Sequence, residues 1–170
     1  MLHLEFPNIS HKNAYLDILA EWKQSEEYKT EHVSPWALFR GESFEEFLEI
    51  AVSDLTAKDP KVPATLYFLM NGERILGGVQ IRYHIEHPNL REFGGHISYW
   101  VRPSERRKWY ATEMLTLALR EAWKLWLSRV LIGCYDDNIG SQRVIEKNGG
   151  IFERYTEHEG KKSRRYWIEL

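Results

Sequence analysis

The spacing of hydrophobic residues predicts the first elements of the chain. Apolar and polar residues alternate over Leu2–Phe6, as in a short strand, and Pro7 ends the pattern. From Ser10 to Trp22 the apolar residues recur at steps of three and four, which is the spacing of one helix face. The N-terminal part therefore predicts a strand followed by a helix.

A second helical pattern follows a recognisable start signal. Ser43 and Glu46 have the spacing of a capping box, in which a hydroxyl and a carboxylate each accept a backbone N–H. The amphipathic stretch then continues to Leu55, and the segment Lys58–Pro63 ends it. Residues 24–42 show no period, so we expect a loop or a broken helix there.

The period then changes from helical to strand-like. Strands are predicted at Ala64–Met70, Ile75–Ile85 and Gly95–Val101, with a loop at 86–94. The dipeptide Asn71-Gly72 favours a tight hairpin turn between the first two strands.

The C-terminal part alternates between the two periods. A long helix is expected to start at Pro103-Ser104-Glu105, and Gly149-Gly150 ends a later one. The remaining predicted elements are a strand at Arg129–Cys134, a helix at Asn138–Asn148, and a terminal hairpin of Ile151–His158 and Ser163–Leu170. Strand–helix–strand crossovers imply some parallel pairing and hairpins imply antiparallel pairing, so the class is α/β (or α+β) with a mixed sheet.

Composition limits the functional classes. The 170 residues are 43% hydrophobic and 28% charged, which is typical of a globular protein, and no linker divides the expected single domain 1–170. One cysteine excludes an internal disulfide, and no apolar run approaches the roughly 20 residues of a membrane span. We therefore expect a soluble, cytoplasmic protein without a membrane partner. The formal net charge of −2 argues against a nucleic-acid partner.

The charge is divided unevenly. Residues 1–100 hold 9 basic and 15 acidic side chains, whereas residues 101–170 hold 14 basic and 10 acidic ones. A basic half suits an anionic partner such as a phosphorylated cofactor, although solvated surfaces also scatter charge in this way.

The most informative stretch joins the fourth predicted strand to the long helix. Three cations, Arg106, Arg107 and Lys108, occupy the turn before a helix that begins near Tyr110. Unpaired N–H groups at a helix start, supported by fixed cations, form a phosphate site. A lone basic turn of this kind is more often simply solvated.

Two ordered blocks carry a family resemblance. Residues 101–112, Val-Arg-Pro-Ser-Glu-Arg-Arg-Lys-Trp-Tyr-Ala-Thr, resemble the cofactor segment of the GNAT superfamily of N-acetyltransferases, and Asn138-Ile139-Gly140-Ser141 with 144–150 resembles its second block. The resemblance covers residues 64–170. It implies a GNAT-type acyl-CoA N-acyltransferase fold: a mixed, twisted sheet with helices on both faces and splayed central strands that admit acetyl-CoA.

The resemblance also implies which residues bind the cosubstrate. The backbone of Val101 would pair with the pantetheine, the amides of 106–112 would hold the pyrophosphate, and the second block would contact the arm near the thioester. The implied binding residues are Val101, Arg106, Arg107, Lys108, Trp109, Tyr110, Ala111, Thr112, Asn138 and Ser141. No metal is implied.

Three positions depart from the family pattern. Trp109 stands where the motif has glycine, so either its indole turns outward or cofactor binding is weakened. Trp126 follows the long helix where glycine is the ordinary choice. Ile145 stands where many members carry a tyrosine as general acid, so the leaving thiolate would need another proton donor.

Candidate catalytic groups come from the region before Val101. His96 is the first candidate for a general base, acting directly or through water, and Glu92 is the second. His96 could equally be a hydrogen-bonded strand residue. Cys134 follows apolar strand residues and is expected to be a buried structural thiol, and the cluster His84–His87 has too few ligands for a metal site.

The expected activity is transfer of an acetyl group from acetyl-CoA to a primary amine of a small molecule or peptide, by direct attack on the thioester. The alternative is a catalytically weakened, GNAT-like CoA-binding or regulatory module, which the replacements at Trp109 and Ile145 favour. A terminal strand such as Ser163–Leu170 could support a homodimer by edge pairing.

Overall fold

A computed structural model describes residues 1–25, 36–58, 61–158 and 160–170. Most of the segment expected to be irregular, and Glu159 of the expected terminal turn, lie outside these residues. The strands are β1 (Leu2–Glu5), β2 (Ala64–Asn71), β3 (Arg74–Arg82), β4 (Ile97–Val101), β5 (Arg129–Tyr135), β6 (Ile151–His158) and β7 (Lys161–Glu169). The helices are α1 (Lys12–Gln24), α2 (Phe44–Asp54), α3 (Tyr110–Lys124) and α4 (Ile139–Lys147).

The strands form two sheets, ordered β1-β2-β3-β4 and β5-β7-β6. Every ladder among the described residues is antiparallel, so the parallel ladder predicted from the crossovers is wrong. β7 lies between β5 and β6. The prediction that the last strand offers a free edge is therefore also wrong, because both of its sides are already paired, and β5 and β6 are the edge strands of this sheet.

Helices cover both faces of the first sheet, as the fold class predicts. Alternating residues of β2 and β3 point to opposite sides, which creates two hydrophobic clusters. One cluster joins Val79 and Ile81 to Met114 and Leu115 of α3. The other joins residues of β2 and β4 to α1 and α2, through Leu66, Phe68, Trp100, Ile18, Trp22 and Phe47.

Local signals place several element ends. Ser43 Oγ accepts the Glu46 N–H at 3.1 Å, but the Glu46 carboxylate accepts the N–H of Glu42 rather than that of Ser43, so only half of the predicted box forms. The hairpin turn is Gly72-Glu73, one residue later than predicted, because Asn71 pairs with Arg74. Only Gly72 of this pair has a positive φ, of 60°.

The long helix begins later than its proline suggests. Pro103–Glu105 forms a separate 3₁₀ turn, and α3 starts only at Tyr110. The segment between them, Arg106–Trp109, leaves helical geometry because Arg107 and Trp109 adopt left-handed backbone conformations with φ of 60° and 69°. A loop therefore separates β4 from the first turn of α3.

α1 anchors the start of this loop. The buried guanidinium of Arg102 donates to Asp17 Oδ2 at 2.6 Å and forms a second ion pair with Glu21. Glu21 also accepts the backbone N–H of Ser104 at 2.8 Å. The end of β4 is thus tied to an N-terminal helix that is 81–85 residues away in sequence.

No helix in the described part of the chain combines the length and the apolar character needed to cross a membrane.

The C-terminus of α3 holds a tryptophan in a conformation that suits glycine. The Leu127 N–H donates to Ala122 O at 3.3 Å and the Trp126 N–H to Trp123 O at 3.0 Å, which is a Schellman motif with Trp126 at the left-handed position. Trp126 has a φ of 64°, and its side chain is 94% exposed.

We expect Trp126→Gly to raise the free energy of unfolding by about 1 kcal/mol, because it removes left-handed strain and loses almost no packing. Urea denaturation would measure the change, and the melting temperature would rise by roughly 2–4 °C. Trp126→Ala is the matched control, since it removes the indole and keeps a Cβ in the left-handed region. Equal stability of the glycine and alanine variants would contradict the strain argument.

Candidate active site

A cavity of about 750 Å³ lies between β4 and β5. Residues 97–101 of β4 form one wall, and residues 132–135 of β5 form the other. The first turn of α3 and residues of α4 complete the lining. The two neighbouring strands therefore separate instead of forming a ladder, as the predicted splayed strands require.

The two strands meet at one end of this cavity. The His96 N–H donates to Leu131 O at 2.8 Å, and the Leu131 N–H donates to Nδ1 of His96 at 2.9 Å. Two glycines make the approach close. A Cβ on Gly95 would lie 2.3 Å from Leu131 O, and one on Gly133 would lie 1.9 Å from Phe93 O. Any side chain at these positions would force the strands apart where they now touch.

At the other end, the loop before α3 presents backbone donors. Thr112 and Glu113 donate to Trp109 O, whereas the N–H groups of residues 107–111 have no hydrogen-bond partner within the described part of the chain. Left-handed conformations at Arg107 and Trp109 are typical of the backbone concavities that bind anions in other proteins, so we call residues 106–112 the anion-binding loop. Residues 107 and 109–112 all line the cavity.

The indole of Trp109 is largely exposed to solvent, which favours the first of the two alternatives for this position. Its side chain is 66% exposed, and the Lys147 ammonium lies 3.5 Å from the ring centroid. The backbone at Trp109 already has the left-handed φ that glycine would supply. The indole thus leaves the anion-binding loop open.

Four basic side chains line this end of the cavity: Arg106, Arg107, Arg143 and Lys147. Sequence reasoning found the first two from the basic turn and missed the last two, which lie on α4. Their i, i+4 spacing was the available signal, because it places both on one helix face. Their charges favour a ligand with several negative groups.

The start of α4 brings the second block to the cavity. Asn138 Oδ1 accepts the Ser141 N–H at 3.0 Å and so caps the helix. The Tyr99 hydroxyl lies 3.5 Å from Ser141 O across the cleft. Burial raises the pKa of Tyr99, so its hydroxyl stays protonated at neutral pH. Asn138, Ser141 and Tyr99 all line the cavity.

Lys108 lies outside the lining, unlike the other implied cosubstrate residues. Its Nζ donates to Glu105 Oε2 at 3.0 Å. Glu105 also pairs with Arg74 at 3.0 Å, so it holds two cations while its own side chain is nearly buried. Lys108 stabilises the turn before the loop rather than facing the cavity.

The two candidate bases also lie outside the lining. His96 is only 6% exposed and uses Nδ1 to accept the Leu131 N–H. Burial, together with the nearby charge of Arg82, lowers the pKa of His96 to about 4. The exposed Glu92 accepts a hydrogen bond from Arg154 at 2.8 Å, and this bond lowers the pKa of its carboxyl group, which makes it a weaker base. The contacts of His96 therefore support a structural role, in which it is a hydrogen-bonded residue that joins β4 to β5.

Two further sequence expectations concern buried residues. Cys134 is a buried thiol, as expected, and burial raises its pKa to about 12, yet it forms part of the cavity wall. Ile145 is fully buried in the cluster beneath α3 and does not reach the cavity.

Among the described residues, no group of three His, Cys, Asp or Glu side chains is arranged to hold a metal ion.

Comparisons with known proteins agree with this geometry. Residues 2–151 match a family model described as an acetyltransferase (GNAT) domain. No curated protein matches the chain at significant similarity.

Solved structures with similar folds include three acetyltransferases. The microcin C7 self-immunity acetyltransferase MccE, in complex with acetyl-CoA and AMP, superposes with a TM-score of 0.70 at 19% identity and covers 99% of this chain and 92% of its own. The ribosomal-protein alpha-N-acetyltransferase RimL, in complex with coenzyme A, gives 0.70 at 18%, with 99% and 94% covered. The spermidine/spermine N-acetyltransferase SpeG from Vibrio cholerae gives 0.63 at 15%, with 99% and 95% covered. At these identities the likeness shows the fold.

The lowered pKa of His96 predicts acid sensitivity. Between about pH 6.5 and pH 4 the unfolded chain binds a proton at this imidazole that the folded chain does not, so the stabilising contribution is present above pH 6.5 and lost as the pH falls. We expect the loss to reach about 3 kcal/mol by pH 4.

His96→Asn tests this, because the Asn side-chain oxygen can accept the Leu131 N–H and does not titrate. Chemical denaturation at several pH values would show a flatter stability profile for the variant than for the wild type. Parallel profiles between pH 4 and pH 6.5 would contradict the inference.

Proposed function

Because the chain belongs to the GNAT acetyltransferase family, we propose that it transfers the acetyl group of acetyl-CoA to a primary amine of a small molecule or peptide. The observation that carries the proposal is the cleft between β4 and β5, which has unpartnered backbone N–H groups and basic side chains at one end. Those donors fit a diphosphate, and the narrow apolar walls fit an extended thiol carrier. We also propose that residues 1–170 form one such domain, and a cytoplasmic location stays a prediction.

We assign the cosubstrate-binding residues from their positions around the cleft. The N–H groups of residues 107–111 would hold the pyrophosphate, and Arg106, Arg107, Arg143 and Lys147 would neutralise the phosphates. The backbone of Val101 on the cleft wall would pair with the pantetheine. Acetyl-CoA supplies an activated acyl group when bound, and the polar side chains of Asn138 and Ser141 would lie near its thioester.

The acceptor amine must lose a proton, because only the neutral form has a free electron pair. Glu105 is the one acidic side chain of the described lining, and Arg74 and Lys108 already hold it. We therefore propose that the amine reacts as its neutral fraction and releases its proton to water. A new C–N bond then forms as the C–S bond breaks, and the thiolate gains a proton.

The proton for the thiolate needs a donor other than position 145, since Ile145 is buried away from the cleft. We propose the hydroxyl of Tyr99. It lines the cleft beside Ser141, and burial raises its pKa, so the hydroxyl carries its proton at neutral pH and can donate a hydrogen bond to the departing sulfur.

A catalytically weakened, CoA-binding module is the second candidate. The absence of a positioned base in the described lining and the loss of tyrosine at 145 favour it. The outward turn of Trp109 weighs against it, because the anion-binding loop is intact.

We expect acetyl-CoA to bind and to stabilise the folded protein, by about 2.7 kcal/mol at 100 times its Kd. Arg107→Gln should weaken acetyl-CoA binding roughly 3- to 10-fold, because an exposed charge pair contributes about 1 kcal/mol. Calorimetric titration would measure the two affinities, and thermal unfolding would measure the stabilisation. S-acetylpantetheine, which lacks the pyrophosphate and nucleotide phosphates, should bind both forms equally.

Arg120→Gln is the matched control, since Arg120 is an exposed arginine on α3 outside the cavity lining. No stabilisation of the wild type by saturating acetyl-CoA, in an assay where another ligand of a control protein gives a clear shift, would refute the proposed function.

Trp109→Gly separates the enzyme from the weakened module. Because the backbone is already left-handed and the indole already points outward, we expect acetyl-CoA affinity to stay within about 3-fold while the free energy of unfolding rises by about 1 kcal/mol. Titration and denaturation would measure the two effects. A large gain in affinity would show that the indole obstructs the site and would favour the weakened module.

A further inference from the structure

One arginine on the cavity wall differs from the four basic side chains near the start of α3. Arg82 ends β3, and its side chain lies beside the point where β4 and β5 meet, because Nη1 lies 3.2 Å from Gly95 O. This point is about 15–20 Å along β4 from the loop before α3, since a strand rises about 3.3 Å per residue. Arg82 thus faces the end of the cavity that is remote from the diphosphate site.

The partners of Arg82 are all neutral. Nη1 lies 3.2–3.5 Å from the carbonyl oxygens of Gly94 and Gly95, and Nη2 lies 3.2 Å from Gln80 Oε1 and 3.4 Å from Ser98 Oγ. These are long hydrogen bonds for a guanidinium, whose bonds to a carboxylate are usually 2.7–2.9 Å. Within the described residues, Arg82 forms no ion pair.

The nearest acidic side chain is already engaged. Asp54, at the end of α2, influences Arg82 electrostatically, but its Oδ2 accepts from Arg40 Nη1 at 2.5 Å. Burial lowers the pKa of Arg82 to about 10, so the surroundings do not fully compensate its positive charge. A half-buried cation without a counter-ion is costly to keep, unless a ligand supplies the missing charge.

The neighbours of Arg82 lie on the face of the first sheet that is opposite α3. Arg82 and Gln80 are two residues apart on β3, so they point to the same face, away from Ile81 and the α3 cluster. Ser98, Phe93 and Gly94 share the cavity lining with Arg82. An amine that approaches the end of the cleft from this face would pass the guanidinium.

We propose that Arg82 binds a carboxylate carried by the acceptor, so that the substrate class is amines with a carboxylate close to the amino group rather than polyamines. The proposal rests on the proposed function for the reaction itself. The planar guanidinium can donate two parallel hydrogen bonds to a carboxylate, which would also fix the amine relative to the cleft. The same charge repels polycationic acceptors.

Matched pairs of acceptors test this inference. Each of several amino acids is compared with its own carboxamide, which has the same side chain and amine but no carboxylate, and spermidine serves as the polycation. We expect kcat/KM, measured by thiol release, to be about 10- to 100-fold higher for the acids. The comparison is biased against the proposal, because the amine of a carboxamide is less basic than that of the acid. The carboxamide therefore has a larger fraction of the neutral, reactive amine.

Variants of Arg82 separate recognition from structure. Arg82→Gln should abolish the preference, with the acids losing about 10- to 100-fold and the amides changing less than 3-fold. Arg82→Lys should retain part of the preference, because the charge remains and the planar fork is lost. Arg120→Gln should keep the wild-type preference. Equal losses for acid and amide in Arg82→Gln would show that the guanidinium only braces Gly94 and Gly95, and would overturn the proposal.

Binding measurements make the outcome independent of turnover. N-acetylated amino acids and their carboxamides are titrated in the presence of CoA, and the free acids and amides in its absence, with thermal unfolding of every variant recorded. Carboxylate selectivity in the wild type that disappears in Arg82→Gln supports the proposal even if acetyl transfer fails. A wild type that binds acetyl-CoA but prefers amides or spermidine, or shows no preference in any assay, overturns it and leaves the proposed function standing.

Discussion

The functional cleft depends on two neighbouring strands that touch at only one place. β4 and β5 are joined through His96 and Leu131, and beyond that point they separate, so their facing backbone groups are not used up in a ladder. Gly95 and Gly133 allow the contact because any side chain there would collide with the opposite backbone. A wedge closed at one end and open at the other is the result, and the helices and loops that follow each strand are placed along its opening.

The wedge has two chemically different ends. Main-chain nitrogens and four cations gather where α3 begins, whereas a single arginine with neutral partners lies where the strands meet. Two residues at the first end, Arg107 and Trp109, adopt left-handed backbone conformations. Each lowers the stability of the folded protein by roughly 1–2 kcal/mol relative to right-handed geometry. The fold tolerates this cost because the large cluster of apolar residues beneath α3 holds both sides of the loop in place.

The sequence predicted the parts of the site that are contiguous in the chain. The basic turn, the helix start near Tyr110 and the helix at 138–148 were found because each depends on a local pattern, whereas the start signal at Pro103 belongs to a separate 3₁₀ turn. Arg82, Arg143 and Lys147 were missed as site residues, because only the packing of β3 and α4 brings them to the cleft. The chemistry of His96 could not be read from the sequence either, since its pKa and its acceptor role both depend on burial against β5. The free edge was misplaced for a similar reason. Strand order is decided by long-range pairing, and the last strand is inserted between two earlier ones.

The ion pairs of Arg102 have a consequence for redesign of the protein. The loop that precedes α3 starts from a residue whose position is fixed by Asp17 and Glu21 of α1, so the N-terminal helix and this loop are coupled through one buried guanidinium. A chimera that exchanges the N-terminal helices would therefore need acidic side chains at the equivalents of both positions. Without them, Arg102 would lose both ion pairs, and the start of the anion-binding loop would lose its contact with the helix.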